Sequence, residues 1–213
     1  MLTHDRVLNT TIELLAEVPV ESFTMQRVSE RLNVAPMTLY GYYPSRDTLL
    51  QAVAEKLFLG LDLHSVDEAD TWPEKIHAWC HCIREQLHSL PNLFRLITDP
   101  SHLTAAWLEA SRPLADALAH AGLDREQSAF FTRWIGRTVV GTLIVESSFD
   151  KDVFRSITQH TQAIVDQLSP RAAAHLEAMS PHVMQQDDDL HFELTISTII
   201  HALEAALLPG HSA

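Results

Sequence analysis

Residues 24–46 read TMQRVSERLNVAPMTLYGYYPSR, and the caps, apolar positions and breakers in this stretch decide how the chain folds. Thr24 is a predicted N-cap for a short helix ending near Leu32, because its hydroxyl can accept from an orphan N–H of the first turn. Asn33-Val34 reads as a turn. A second short helix is expected from about Ala35 to Tyr42, with Pro36 in its first turn, where a missing N–H costs little. Val28 and Leu32 can pack against Leu39, which fixes the angle between the two helices and gives a helix-turn-helix layout. Ala35, Pro36, Thr38, Gly41 and Tyr42 then face outward. Small residues there allow close approach to a major groove. Thr38 and Tyr42 can bond phosphates or base edges, and Met37 can touch a thymine methyl. Two packed helices at the end of a bundle would show the same pattern, so residue types alone leave both readings open.

Outward from this stretch the period is helical nearly everywhere. Leu8, Ile12 and Leu15 share one face of a first helix, about 3–17, which Pro19 ends. Ser45 can cap a helix running to about Leu63, and a polar link over 65–70 follows. Thr71-Trp72-Pro73-Glu74 has capping-box spacing and opens a helix to about Leu90. A short element is expected around Leu93–Thr98. Further helices are expected over about 103–121, 125–148, 151–167 and 189–207, with a short one after Ser169-Pro170 and a loop over 181–189. The fold class is therefore all-α: an N-terminal three-helix helix-turn-helix domain, residues 1–46, continuing into a linking helix over 46–63, and a C-terminal helical bundle over 47–213.

Charge is distributed unevenly. The chain has 213 residues and a net charge of −13. Residues 1–56 carry 5 Lys+Arg against 7 Asp+Glu, and residues 57–213 carry 10 against 21. Within 26–46, Arg27, Arg31 and Arg46 stand against Glu30 alone. The one locally basic segment is thus the candidate DNA-reading segment, and an acidic body limits non-specific attraction to phosphate. The first residues lack a basic and apolar leader, and no stretch is apolar enough to read as a membrane span. Cys80 and Cys82, two apart on one helix, would diverge, so no disulfide between them is expected. A reduced, cytoplasmic protein is the expectation.

The segment from Thr24 to about Ala54 resembles the DNA-binding domain of the tetracycline-repressor (TetR) family of bacterial regulators. The match lies in Thr24, Val28, Leu32, Val34, Thr38-Leu39-Tyr40, Tyr42-Tyr43-Pro44-Ser45-Arg46 and Leu49-Leu50. Arg46 stands where the family usually has Lys, and a cation there suits a phosphate contact. Gly41 departs from the larger residue often found at its position. The resemblance implies a DNA-facing set of Thr24, Gln26, Arg27, Ala35, Pro36, Met37, Thr38, Tyr40, Gly41, Tyr42 and Arg46. Within it, Tyr40 and Arg46 would clamp the DNA backbone, and Gln26, Met37, Thr38 and Tyr42 would lie nearest the bases or phosphates.

The resemblance further implies a small-molecule pocket and a dimer interface in the body. Candidate pocket residues are His64, Trp79, His81, Phe94, Trp107 and Trp134, any of which can equally be plain core. The last helix carries an apolar stripe of Phe192, Ile196, Ile199 and Leu203, and the 125–148 helix, apolar almost all round, adds Phe130 and Val139. These six are the candidate dimer interface, forming a four-helix seam between two chains. An ordinary core stripe is the other reading.

The expected function is a homodimeric transcription regulator of repressor type that binds palindromic operator DNA and is released by a small-molecule effector. Two rivals stand beside it. One is a metal-dependent helical enzyme using the His77, His81 and His88 face, since His at i and i+4 is metal-ligand spacing. Arg84 shares that face and opposes bound metal, so no metal or cofactor is expected. The other is a helical interaction module that never meets DNA. No phosphate-binding Gly-rich loop, nucleophile elbow or spaced nucleophile set is present in the sequence.

Overall fold

The computed structural model describes residues 1–88, 105–148, 167–183 and 187–208, and the secondary structure there is helical throughout. Helix α1 spans His4–Glu17, and its cap Thr3 accepts from the Arg6 N–H at 3.1 Å. A single 3-10 turn, Val20–Ser22, leads into α2 (Met25–Leu32), α3 (Pro36–Tyr42) and α4 (Arg46–Leu59). Thr24 caps α2 as expected, accepting from the Arg27 N–H at 3.3 Å. Ser45 and Thr48 cap α4 reciprocally. These four helices enclose one core in which Val7, Leu15, Phe23, Val28, Leu39, Leu49, Leu50 and Val53 are almost wholly buried. Because Val53 and Leu57 belong to that core, the head extends by packing well into α4.

The body comprises α5 (His64–Glu68), α6 (Trp72–His88), α7 (Ala105–His120), α8 (Arg125–Ser148), α9 (Pro170–Val183) and α10 (Asp188–Leu207). Its helices start where polar side chains can satisfy orphan N–H groups. Both the N–H and the hydroxyl of Thr71 donate to the Glu74 carboxylate, at 2.9 and 2.8 Å. Asp124 and Gln127 exchange bonds of 2.9 and 3.1 Å at the head of α8. Asp187 accepts from the Leu190 N–H at 3.0 Å and caps α10.

Three boundaries differ from expectation. Helix α4 stops at Leu59, where Gly60 is its C-cap and leaves the helical backbone at φ −88° and ψ 2°. The polar link forms the single helical turn α5, held inward by buried Val66. Part of the loop expected over 181–189 is helical, at the end of α9 and the start of α10. The elements expected around Leu93–Thr98 and over 151–167, and Phe94 with them, lie essentially outside the described residues.

The body core corrects the dimer expectation. Val139, Phe192, Ile196, Ile199 and Leu203 are at most 1% exposed within the single chain, packed with Ile76, Trp79 and Ile83. Helix α10 packs on α6 and α8 of its own chain. A helical stripe reports which face is apolar but not whose side chains cover it. Of the six candidates only Phe130 is exposed. No helix among the described residues is long and apolar enough to cross a membrane.

Candidate nucleic-acid interface

The interface follows from how α2 hands over to α3. Asn33 sits in the left-handed region, φ 54° and ψ 49°, which a short polar side chain tolerates better than most. Its N–H bonds back to Glu30 and the Val34 N–H to Ser29, each at 3.0 Å, so α2 ends within two residues. Pro36 then opens α3 at a position where its missing N–H is no loss. Only Leu39 of α3 is buried, and it is fully enclosed. Ala35, Pro36, Met37, Thr38, Tyr40 and Gly41 are exposed, with Met37 80% accessible. A helix with so solvated a face is free to enter a groove.

Thr24, Gln26 and Arg27 are exposed at the start of α2. The Gln26 amide donates to Glu30 at 2.8 Å, and Arg27 donates to the Ser22 carbonyl at 3.2 Å. Arg31 forks onto Glu17 at 2.6 and 2.5 Å and ties α2 to α1. Hydrogen bonding from Arg31 holds the Glu17 carboxyl below its ordinary value.

Two residues expected to face DNA are engaged with the chain itself. Tyr42 is half-buried, its hydroxyl donating to the Leu2 carbonyl at 2.8 Å while its ring meets the His4 ring at 5.0 Å. Arg46 donates from Nε to the Phe23 carbonyl at 3.2 Å and from Nη2 to the Val20 carbonyl at 2.6 Å, with its guanidinium over the Phe23 ring. Both side chains brace the head in this structure. Their acceptors lie 40, 23 and 26 residues away along the chain, and nothing in the local sequence points to backbone carbonyls at such range. Gly41 has open space where a side chain would begin, with no atom within 4 Å. Nothing within the chain requires glycine there.

Among the described candidate pocket residues, Trp79 and Trp107 pack against each other. Trp79 is fully buried and its indole N–H donates to the Ala110 carbonyl at 2.7 Å. His64 is exposed and pairs with Glu68 at 3.2 Å. His81 is half-buried, its Nε2 2.8 Å from Glu193. Trp107 and Trp134 are half-buried. Trp107 stands edge-on to Trp79 at 6.2 Å and to Phe58 of α4 at 5.1 Å. A side chain at Gly136 would meet the Trp107 ring at 3.3 Å, so α8 lies close against this aromatic row. A groove of about 290 Å³ lies between α8 and α10, lined by Gly141, Thr142, Val145, Glu146, Asp188, His191 and Thr195. None of the expected pocket residues among the described residues borders it.

An exposed second helix on a capped three-helix head, joined through a shared helix to a larger helical body, defines a helix-turn-helix regulator. Residues 7–53 match the family model for bacterial regulatory proteins of the tetR family, and residues 66–207 match the tetracyclin repressor-like C-terminal domain. The chain belongs to the TetR family of transcription regulators, which are not enzymes. It is 24% identical to the tetracycline repressor protein class C of Escherichia coli, over 95% of this chain and 91% of that one. A possible TetR family transcriptional regulator from Streptomyces coelicolor has the same fold, at TM-score 0.80 and 20% identity, covering 96% of this chain and 100% of that one. ActR of Streptomyces coelicolor, solved in complex with actinorhodin, superposes at TM-score 0.79 with 20% identity, covering 97% and 99%.

Proposed function

We propose that the protein is a repressor that binds a palindromic operator as a homodimer and leaves it when a small molecule occupies the body. The observation that carries this is α3, whose residues from Pro36 to Gly41 are exposed except for the buried plug Leu39. In this reading Ala35, Pro36, Met37, Thr38, Tyr40 and Gly41 approach the major groove, and Thr24, Gln26 and Arg27 contact the adjoining backbone. Tyr42 and Arg46 act one step back. They hold α3 and the first turn of α4 in place through Leu2, Val20 and Phe23.

With the α10 stripe committed to the chain's own core, the partner meets the outer faces of α8 and α10. Phe130 and Val145 on α8, and Leu190 and Leu194 on α10, are each more than half exposed, and exposed apolar side chains favour association. A twofold axis through these faces makes the four-helix seam. It sets the two α3 helices about 34–36 Å apart, one turn of duplex DNA.

Effector coupling runs through Phe58, Trp107 and Trp79. Helix α4 packs on α7, so a ligand that favours a different seating of α7 against α6 also re-seats α4 and the head. The ActR complex with actinorhodin supports a body of this fold holding a small molecule. The test is selection of bound sequences from random DNA by the full-length protein. The expected product is a palindrome with half-site centres about 10–10.5 bp apart or a multiple of that. Failure to enrich any sequence would overturn the DNA-binding reading, and enrichment of a lone half-site would overturn the dimer.

A further inference from the structure

We propose that His77, His81 and Glu193 form a three-ligand site for a divalent transition-metal ion of the zinc type, which ties α6 to α10. The two histidines are one helical turn apart, so their rings lie side by side, 4.5 Å between centroids. Glu193 reaches both from α10, with its two oxygens 3.0 Å from His77 Nε2 and 2.8 Å from His81 Nε2. One donor atom from each residue falls within 4.8 Å of the other two. An ion needs its donors about 2.0–2.2 Å away. Tetrahedral donors at that range stand about 3.4 Å from one another, so the His–Glu hydrogen bonds of 3.0 and 2.8 Å open by about half an ångström and small ring rotations turn the imidazoles onto the ion.

The chemistry of the set is specific. Imidazole nitrogen with one carboxylate oxygen suits zinc, copper or nickel rather than the all-oxygen preference of calcium and magnesium. Three protein donors leave the fourth tetrahedral position to water, which the partial exposure of all three side chains permits. Phe192 stands edge-on to His81 at 5.4 Å and fixes one wall.

Arg84, whose charge would oppose an ion, is turned away from that role. Its guanidinium binds Glu146 and Asp189, each at 2.8 Å, and lies 4.6 Å over the Phe192 ring. Two carboxylates therefore offset its charge beside the site. His88 is not part of the set, because it pairs with Glu146 at 2.9 Å.

Zinc ion alone is titrated into the full-length, chelator-treated protein by calorimetry and by thermal melting, with cobalt(II) as an optical probe of coordination. One ion per chain and a raised melting temperature are expected. His81→Ala and Glu193→Gln should each weaken binding by roughly tenfold or more, since even outer-shell changes cost that much. His120→Gln, in another helix among the 13 histidines of the chain, should leave it unchanged. Should His81→Ala fail to fold, His77→Gln at a more exposed position must show the same loss. Absence of saturable binding, or binding that survives in the folded variants, would overturn the proposal.

Discussion

The head and the body solve opposite problems with the same secondary structure. The head is built from short helices with a side-chain cap at Thr3, Thr24 and Ser45, and its working surface is what its core leaves out. Helix α3 contributes buried Leu39 and half-buried Tyr42 to the head and presents the rest to solvent. The body is built from longer helices whose apolar stripes close on one another, and its outer faces still carry exposed Phe130, Val145, Leu190 and Leu194. Functional residues in the head can be read by subtraction from the core. In the body, apolar residues serve the core and any partner alike, so the same subtraction leaves only the proposed association surface.

The sharpest way to break this contrast is Trp79→Ala. It empties part of the body core and removes the indole bond to the Ala110 carbonyl, so unfolding stability should fall by about 3–5 kcal/mol. Thermal melts would check it, and a loss below about 1 kcal/mol would mean that the core is centred elsewhere.

Arg46→Ala removes two charge-assisted bonds from a half-exposed guanidinium, and urea unfolding should show a loss of about 1–2 kcal/mol. Arg46→Lys keeps the charge but not the fork geometry. If Arg46 braces the head, both variants lose stability. If it acts only as a phosphate cation, Lys retains stability and operator affinity together.

Gly41→Ala sharpens the comparison from the other side. With open space at the site and better helix propensity, it should stabilise the head by up to about 1 kcal/mol. Weaker operator binding by that same, more stable variant would place Gly41 at the DNA surface, and unchanged binding would remove it.

The smallest effect is on pH dependence. Hydrogen bonding from Lys56 depresses the Asp5 carboxyl, and hydrogen bonding from Arg31 depresses that of Glu17. A depressed carboxylate stabilises the fold above its unfolded value, near 4, and that contribution is lost as pH falls through the lower folded value. Glu17→Gln should therefore flatten the acid-side decline of head stability between about pH 5 and 3, measured by helical circular dichroism.

Much of this was legible in advance, and particular residues explain where legibility stopped. Thr24 and Ser45 act within four residues of themselves, so local pattern found each cap. Leu39 was identified as the plug because period and turn place it opposite Val28 and Leu32. Helix phase turns Tyr42 outward and the resemblance puts Arg46 on the DNA backbone, and neither carries information about carbonyls at Leu2, Val20 and Phe23. Glu193 could not be joined to His77 and His81 from spacing, because 112 residues separate it from the nearer one.

By itself the sequence determined the helical class, the two-part layout, the caps and the protruding helix, because caps, turns and amphipathic period act over one or two turns of chain. Tertiary structure alone decided whose core the α10 stripe joins, which carbonyls hold Arg46 and Tyr42, and that two imidazoles meet a carboxylate. Those outcomes depend on distances between segments far apart in the chain, which only the packed helices define.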